Sequence, residues 1–499
     1  MYDAKTLGIL SAFVLVGCPA SDDKATAGDT GAPPAEICFQ QDGVDNGQIG
    51  VIEDAVILDS TTWAVTPAAA TDPATALPGG FEPAEYYGAV NPEQAVGWFD
   101  EWTVGGDFDG SHSPTPFHPL QDEIEDGTIT PAAKNACQAL DTNYADGGTT
   151  TIFGETFPVC VVSQPITSSV AWPNNHIFIL DGTVNVGTGD VRLEGGNPTD
   201  NAVLTIQAGT QIYGAEGVAS SLAITRGSMI EAEGTVDLPI LFASVAVDTA
   251  LADVVTGDVA DVSSRGEWGG VVLSGFGETN SGDDNGELLT EAAPEDAERW
   301  YGGTNNADNS GTIRYAIIAE SGFEFRPDEE VQGLTIEAAG SGTTLEYIQV
   351  LGSEDDCIEW FGGAASIRFT LNNGCDDDGW DQDLGWVGTI QFGLHVHGAE
   401  NGDRGIESDN NNDNFDAAPQ TAPNIANITM IGNVGKGESS AALHREGWRG
   451  KVFRSVYTDG DAAWARGCLD VDDALPPALE YRDVLFNCAN GALLECDDS

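Results

Sequence analysis

The sequence predicts an all-β fold, a right-handed parallel β-helix preceded by an irregular N-terminal region. Two observations carry this prediction. Gly accounts for 62 of 499 residues, and Gly or Asn interrupts short runs of alternating apolar residues, the punctuation of tight turns between short strands. Thirteen-residue segments also align without gaps: TLEYIQVLGSEDD from Thr344, SIRFTLNNGCDDD from Ser366 and TIQFGLHVHGAEN from Thr389, with starts 22 and 23 residues apart. TIRYAIIAESGFE from Thr312 fits the same frame after a longer excursion. KVFRSVYTDGDAA from Lys451 and ALEYRDVLFNCAN from Ala478 repeat it at a spacing of 27. A repeat of this length, with β-branched and aromatic alternation and no helical period, is one coil of a solenoid. A single coil cannot bury its own apolar face, so about a dozen stacked coils make one continuous core. Parallel crossovers set the right-handed sense.

The segments follow in order. Residues 1–17 read as a lipoprotein signal peptide, because the apolar run Ala12–Val16 is too brief to cross a bilayer and leads into Gly17 and Cys18. Leu15-Val16-Gly17-Cys18 resembles the lipobox of bacterial lipoproteins. That resemblance implies cleavage before Cys18 and acylation of Cys18. Pro19 in place of an Asp implies the outer membrane or cell surface as destination. Residues 18–35 are small, polar and rich in Pro and Gly, a flexible tether. Residues 36–165 show little periodicity and form the irregular N-terminal region or cap, and residues 166–499 form the solenoid. With Cys18 set aside, eight of the nine cysteines remain, an even number that suits disulfides outside the cytoplasm. Proximity pairs Cys137 with Cys160 and Cys357 with Cys375. The absence of a C-x-x-C pair argues against a zinc knuckle.

The formal charge is −63, from 81 acidic and 18 basic side chains, and all the arginines lie at or after Arg192. Such a field repels a phosphate backbone, so nucleic acid is not an expected partner. Divalent cations and neutral or cationic ligands are enriched at it. Adaptation to salty water explains the bulk of the charge without any ligand.

Several segments carry a family resemblance: VLTIQAGTQIYG (203–214), RGEWGGVVLSG (265–275), RWYGGTNNADNSGTIRYAII (299–318), DDCIEWFGG (355–363), GDRGIESDNNN (402–412) and LHREG (443–447). Together they resemble the pectin-lyase-like parallel β-helix surface lipoproteins of aquatic bacteria over roughly residues 150–490. The resemblance implies a fold and a location. It implies no activity, since none is established for that family.

The stretch GCDDDGWDQDLGW (374–386) concentrates five aspartates and two tryptophans in thirteen positions. Stacked coils convert sequence register into spatial register, with strands about 4.8 Å apart. The alignment sets Asp355 beside Asp377 and Glu400, Asp356 beside Asp378, and Glu359 beside Asp381 and then Arg404. Carboxylates at that spacing need a raised pKa, a cation or a donor. Calcium takes six to eight oxygens in irregular geometry, so Asp355, Asp356, Asp377, Asp378, Asp381, Asp383, Glu400 and Asp409 are candidate Ca2+ ligands. A solvated acidic column that binds nothing is the alternative. Trp360, Trp380 and Trp386 border this corner and are candidate sugar platforms or core residues. His395 and His397 alternate with Val396 and share a face of one strand, and with Arg404 they complete the candidate ligand-binding set. Arg404 has a second reading, as a salt bridge to Asp381, Asp403 or Glu407.

Asp355-Asp356-Cys357-Ile358 is similar to one segment of β-helix polygalacturonases. The N-T-D-G, G-H-G and R-I-K segments those enzymes also need are missing, which argues against that hydrolysis. A calcium-dependent lyase needs a base, for which Arg404, Arg445 and Arg449 are the candidates, and an anionic polysaccharide is the wrong charge for this surface. The sequence therefore predicts a lipid-anchored surface protein that recognises an extracellular glycan or surface protein. A polysaccharide lyase and a structural surface component are the alternatives.

Overall fold

The computed structural model describes residues 77–91, 94, 97–99, 102–104, 120–133, 137–189, 192–193, 201–215, 218–245, 265–292, 299–326, 329–398, 402–432, 437–460, 463–471 and 480–490. The predicted lipidation site Cys18, the tether, Cys38, Glu400 and Cys496 lie outside the described residues.

The chain is a parallel β-helix. Six strands around the acidic stretch show how each coil is made: β1 (Thr344–Ser353), β2 (Ile358–Phe361), β3 (Ser366–Asn373), β4 (Trp380–Asp383), β5 (Thr389–Val396) and β6 (Arg404–Ser408). β1, β3 and β5 belong to a long sheet of 18 strands, while β2, β4 and β6 belong to a short sheet of nine. Thr344 pairs with Ser366 and with Thr312, and Ile367 pairs with Ile390, which is the register read from the sequence. Among the described residues the short sheet has nine strands, and the long sheet stacks eleven in one row from Glu155–Val162 to Leu485–Asn487, in line with the expected number of coils. Excursions such as the hairpin of Glu287–Leu289 and Trp300–Gly302 use chain length without adding a coil. Near the C-terminus the spacing opens: Lys451 pairs with Glu480, 29 residues on, where the sequence alignment put Ala478. The two extra residues fall between Val471 and Glu480.

The long strands bend once per coil. Tyr315, Tyr347, Phe369, Phe392, Asn427, Arg454 and Asp483 all hold a left-handed backbone, with φ of 47–57°. That conformation costs a non-Gly residue roughly 1–2 kcal/mol. At four of these positions the side chain is aromatic and the rings stack outside the bend, at centroid distances of 4.4 Å (Tyr315 on Tyr347), 4.4 Å (Tyr347 on Phe369) and 4.7 Å (Phe369 on Phe392). Those distances match the spacing of paired strands, so each ring lands on the next, and each contact contributes about 0.5–1.5 kcal/mol beyond its buried area. The interior is filled by Leu345, Ile348 and Val350 of β1 and their equivalents Ile367 and Ile390, together with Ile358 and Ile406 from the short sheet.

The N-terminal region does two jobs. Glu155–Val162 pairs antiparallel with Ala145–Ile152 and, from Val159 onward, parallel with Ile177–Leu180. Coil stacking thus begins within the stretch read as irregular. The described residues between 77 and 104 form a strap along the outside of the bend. Glu82 exchanges hydrogen bonds of 2.8 and 3.0 Å with the Gln391 amide, and Val104 exchanges two of 2.9 Å with the Gln349 amide. Arg454 donates to the Ala84 carbonyl. Trp102 meets Tyr315 edge-on and Trp98 meets Tyr347 and Phe369. Ala89, Val90 and Phe99 pack on Leu371, Leu394 and Val396. Among the described residues three disulfides are present. Cys137–Cys160 and Cys357–Cys375 are the pairs expected by proximity, and Cys468–Cys488 is the third. No helix among the described residues is long and apolar enough to cross a membrane.

Candidate functional site

The acidic stretch lies on the outer face of the short sheet and its adjoining corner. Strand alternation sends Ile358, Trp360, Trp380, Gln382 and Ile406 inward, and Glu359, Phe361, Asp381, Asp383 and Glu407 outward. Glu359 pairs with Asp381 and Asp381 with Glu407. At the corner, the Asp378 amide donates to Asp356 Oδ1 at 2.8 Å, and the Arg404 amide donates to Asp378 Oδ1 at 2.5 Å. The Asp403 amide donates to the Asp377 carbonyl at 3.0 Å.

The coil from β4 to β6 corrects the predicted columns. Trp380 pairs with Ile406, a step of 26 residues, against 23 for the preceding step of the long sheet from Ser366 to Thr389. The three additional residues sit in the corner between Val396 and Arg404. Asp403 therefore takes the place predicted for Glu400 beside Asp377. Arg404 stands over Asp378, and not over Asp381 as predicted. Glu407 follows Asp381, so that column is three carboxyls deep.

Asp355, Asp356 and Glu359 each offer a carboxylate oxygen within 4.8 Å of the others. Among the predicted ligands, the structure gathers Asp355 and Asp356 here with Asp377 and Asp378 one coil on, and it brings in Glu359, which the sequence reading placed in a column without assigning it as a ligand. The signal was present in the register that set Glu359 beside Asp381, and the structure buries it to 8 % exposure. Asp381 flanks the group. Asp383 and Asp409 lie farther along the face, and Asp409 is held by Arg445 through bonds of 2.8 and 3.0 Å. Arg445 also grips Glu407. Arg404 pairs with Asp403 and donates to the Glu438 carbonyl.

Electrostatics follow from this crowding. Burial and then the surrounding carboxylates raise Asp356, Glu359, Asp378, Asp381 and Asp383 well above the ordinary carboxyl range. Burial pushes Glu407 up to about 7, with Arg445 opposing and Asp409 adding to the rise. Arg445 is itself held firmly protonated by its hydrogen bond to Asp409 and the charge of Glu407, which outweigh its burial. The face can hold protons or a hard cation, because its donors are carboxyl oxygens.

The candidate ligand platforms are corrected. Trp360, Trp380 and Trp386 are 0 % exposed and form part of the interior, where Trp360 stacks on Trp386 at 4.4 Å. They present no ring to a sugar. His395 and His397 are also interior, at 1 % and 0 % exposure, because the strap covers the opposite face of β5 where Leu394 and Val396 point. Sequence alternation fixed that they share a face but did not say which face is outside.

These features define a parallel β-helix protein with a carboxylate-lined outer face. The chain belongs to the family described as the pectate-lyase-like beta helix domain, whose model matches residues 192–474, more than half of the sequence. No curated protein and no solved structure matches it.

Proposed function

We propose that the protein is a lipid-anchored surface protein whose acidic face takes up Ca2+ and, through it, recognises an extracellular glycan or surface protein. The observation that carries this reading is the convergence of Asp355, Asp356 and Glu359 within 4.8 Å of one another. Three carboxylates without thiolate or imidazole suit a hard cation. The neighbouring Asp378 and Asp381, pushed toward their neutral forms, are the groups a bound cation would return to the charged state. Ca2+ at this corner would be held by Asp355, Asp356 and Glu359, with Asp377, Asp378 and Asp381 one coil on. It would present positive charge and open positions to ligand hydroxyl or carboxylate oxygens. The lipid anchor rests on the Cys18 motif.

The lyase alternative requires a guanidinium that gives up its proton. Each candidate is paired with carboxylate: Arg404 with Asp403, Arg445 with Glu407 and Asp409, and Arg449 with Asp416. For Arg445 these partners outweigh burial and hold the guanidinium protonated.

Thermal melting in calcium and in chelator tests the cation. A midpoint that rises with calcium in the wild type, and fails to rise in Asp355→Asn/Glu359→Gln, supports the reading, whereas equal midpoints in the wild type overturn it. Glycan-array binding without new reducing ends or unsaturated uronates separates recognition from cleavage.

A further inference from the structure

The solenoid opens on a hairpin whose outer strand is an open edge. Ala145–Ile152 pairs antiparallel with Glu155–Val162 and with no other strand among the described residues. Phe153 and Gly154 hold φ of 47° and 85° and close the turn in two residues, so Ile152 and Glu155 are the hydrogen-bonded pair at its mouth. Alternation from there makes Thr150 and Phe157 a bonded pair, and Thr149–Pro158 and Thr151–Thr156 non-bonded ones. Pro158 has no N–H to give, which suits its non-bonded place. The N–H and C=O groups of Thr149 and Thr151 therefore point away from Glu155–Val162. Both residues are exposed, while Thr150 and Ile152 are half-buried.

Sheet edges are ordinarily guarded by Lys, Pro or inward-pointing charge. The stretch 147–154, GGTTTIFG, carries none of these. It is neutral in a chain of net charge −63. A field of that sign and size drives two copies apart wherever acidic faces meet. A neutral edge is the surface through which they can approach, and a strand added there continues the long sheet. The irregularity between Asp146 and Thr149 confines regular pairing to Thr149–Ile152.

We propose that Ala145–Ile152 docks antiparallel on the same strand of a second copy, about a two-fold axis through the Thr150 pair. The geometry is self-complementary. With Thr150 on the axis, Thr149 lies opposite the second copy's Thr151, and both turn their backbone groups to the junction. Each such pair exchanges two hydrogen bonds, and the axis generates the pair a second time. Ile152 then lies opposite Gly148, where an added Cβ would meet nothing within 4 Å, so the half-buried isoleucine finds open space. Asp146 and Glu155 border the neutral stretch and near each other across the junction, which makes the pairing stronger in salt. One short strand pair falls below the roughly 1,200 Å² of a standing complex, so the dimer is weak in dilute solution and favoured where copies are concentrated.

The test is sedimentation equilibrium of the full chain carrying Cys18→Ser, so that acylation adds no association of its own, from micromolar to near-millimolar concentration at low and high salt. The average mass is expected to rise toward two chains with concentration, more steeply in high salt. Thr151→Pro removes only an N–H that points to the junction, and should weaken association by about tenfold or more, since the axis deletes that bond twice. Thr150→Cys is expected to form a disulfide-linked dimer when oxidised glutathione accepts the two thiol hydrogens, with the peptide map joining the copies at position 150. Non-bonded antiparallel pairs hold their Cα atoms about 4.5 Å apart, within disulfide reach. Thr156→Cys, on the other strand of the hairpin, should not cross-link. A mass of one chain under every condition, association that Thr151→Pro leaves unchanged, or equal cross-linking at 150 and 156 overturns the proposal. Should Thr151→Pro fail to fold, the concentration dependence and the cross-links decide alone.

Discussion

Replacing Glu407 by Gln isolates the electrostatic cost of the acidic column. Its folded pKa is about 7, against 4.5 for the ordinary carboxyl. A carboxyl raised in the folded state is protonated in both states below about pH 4.5. Between 4.5 and 7 the unfolded chain releases the proton first, so stability falls as pH rises, and above 7 the loss is complete. The span is 2.5 pH units, which at 1.36 kcal/mol per unit gives about 3 kcal/mol. The Glu407 side chain is 14 % exposed, so solvent screening removes little of this. Urea unfolding in chelator at pH 4.5 and pH 8 reads the effect. The wild type should lose stability across this interval, and Glu407→Gln should lose about 3 kcal/mol less while keeping an acceptor for Arg445. Equal pH dependence in the two proteins would falsify the assignment, because the remaining acidic groups of the chain are common to both.

Further outcomes follow from other parts of the molecule. Calcium at a hundredfold excess over its dissociation constant should stabilise the wild type by about 2.7 kcal/mol, read as a chelator-reversible shift in melting, and Asp355→Asn should abolish it. Trp102→Ala removes a fully buried indole from the strap and should cost about 3–5 kcal/mol in chemical denaturation, with new dye binding where the aromatic stack is uncovered. Replacing Cys357 and Cys375 by Ala opens a loop with a sequence separation of 18 and should lower stability by about 3 kcal/mol on the chain-entropy estimate, with no change expected in an oxidised-versus-reduced comparison of that variant at this pair.

The fold was legible because a solenoid writes its geometry into sequence spacing. Thr344, Ser366 and Thr389 announce three stacked coils, and Cys357 and Cys375 lie on neighbouring coils for the same reason. The site was legible to one coil and then slipped. Three residues inserted between Val396 and Arg404 do not disturb the apolar pattern of either strand, so nothing in the alternation reveals that Arg404 shifts from Asp381 to Asp378. The inward turn of His395 and His397 was hidden for a different reason. Leu394 and Val396 are apolar on the outside because the strap covers them, and the strap has no period of its own to announce where it docks. Trp360 and Trp380 follow the same logic, since an indole beside an acidic residue in a strand points to the opposite side of it.

The strap also dictates an order of events. Ala84 meets Arg454 across 370 residues of sequence, whereas the coils from Thr344 onward each close over two or three dozen. A chain made from its N-terminus holds Trp102 and Trp98 bare until the coils of Tyr315, Tyr347 and Phe369 exist, and contacts of such separation form late. Docking of the strap thus reports on the stacked coils beneath it, and a chain truncated before Tyr315 leaves Trp98 and Trp102 as an adhesive flank for quality control to find.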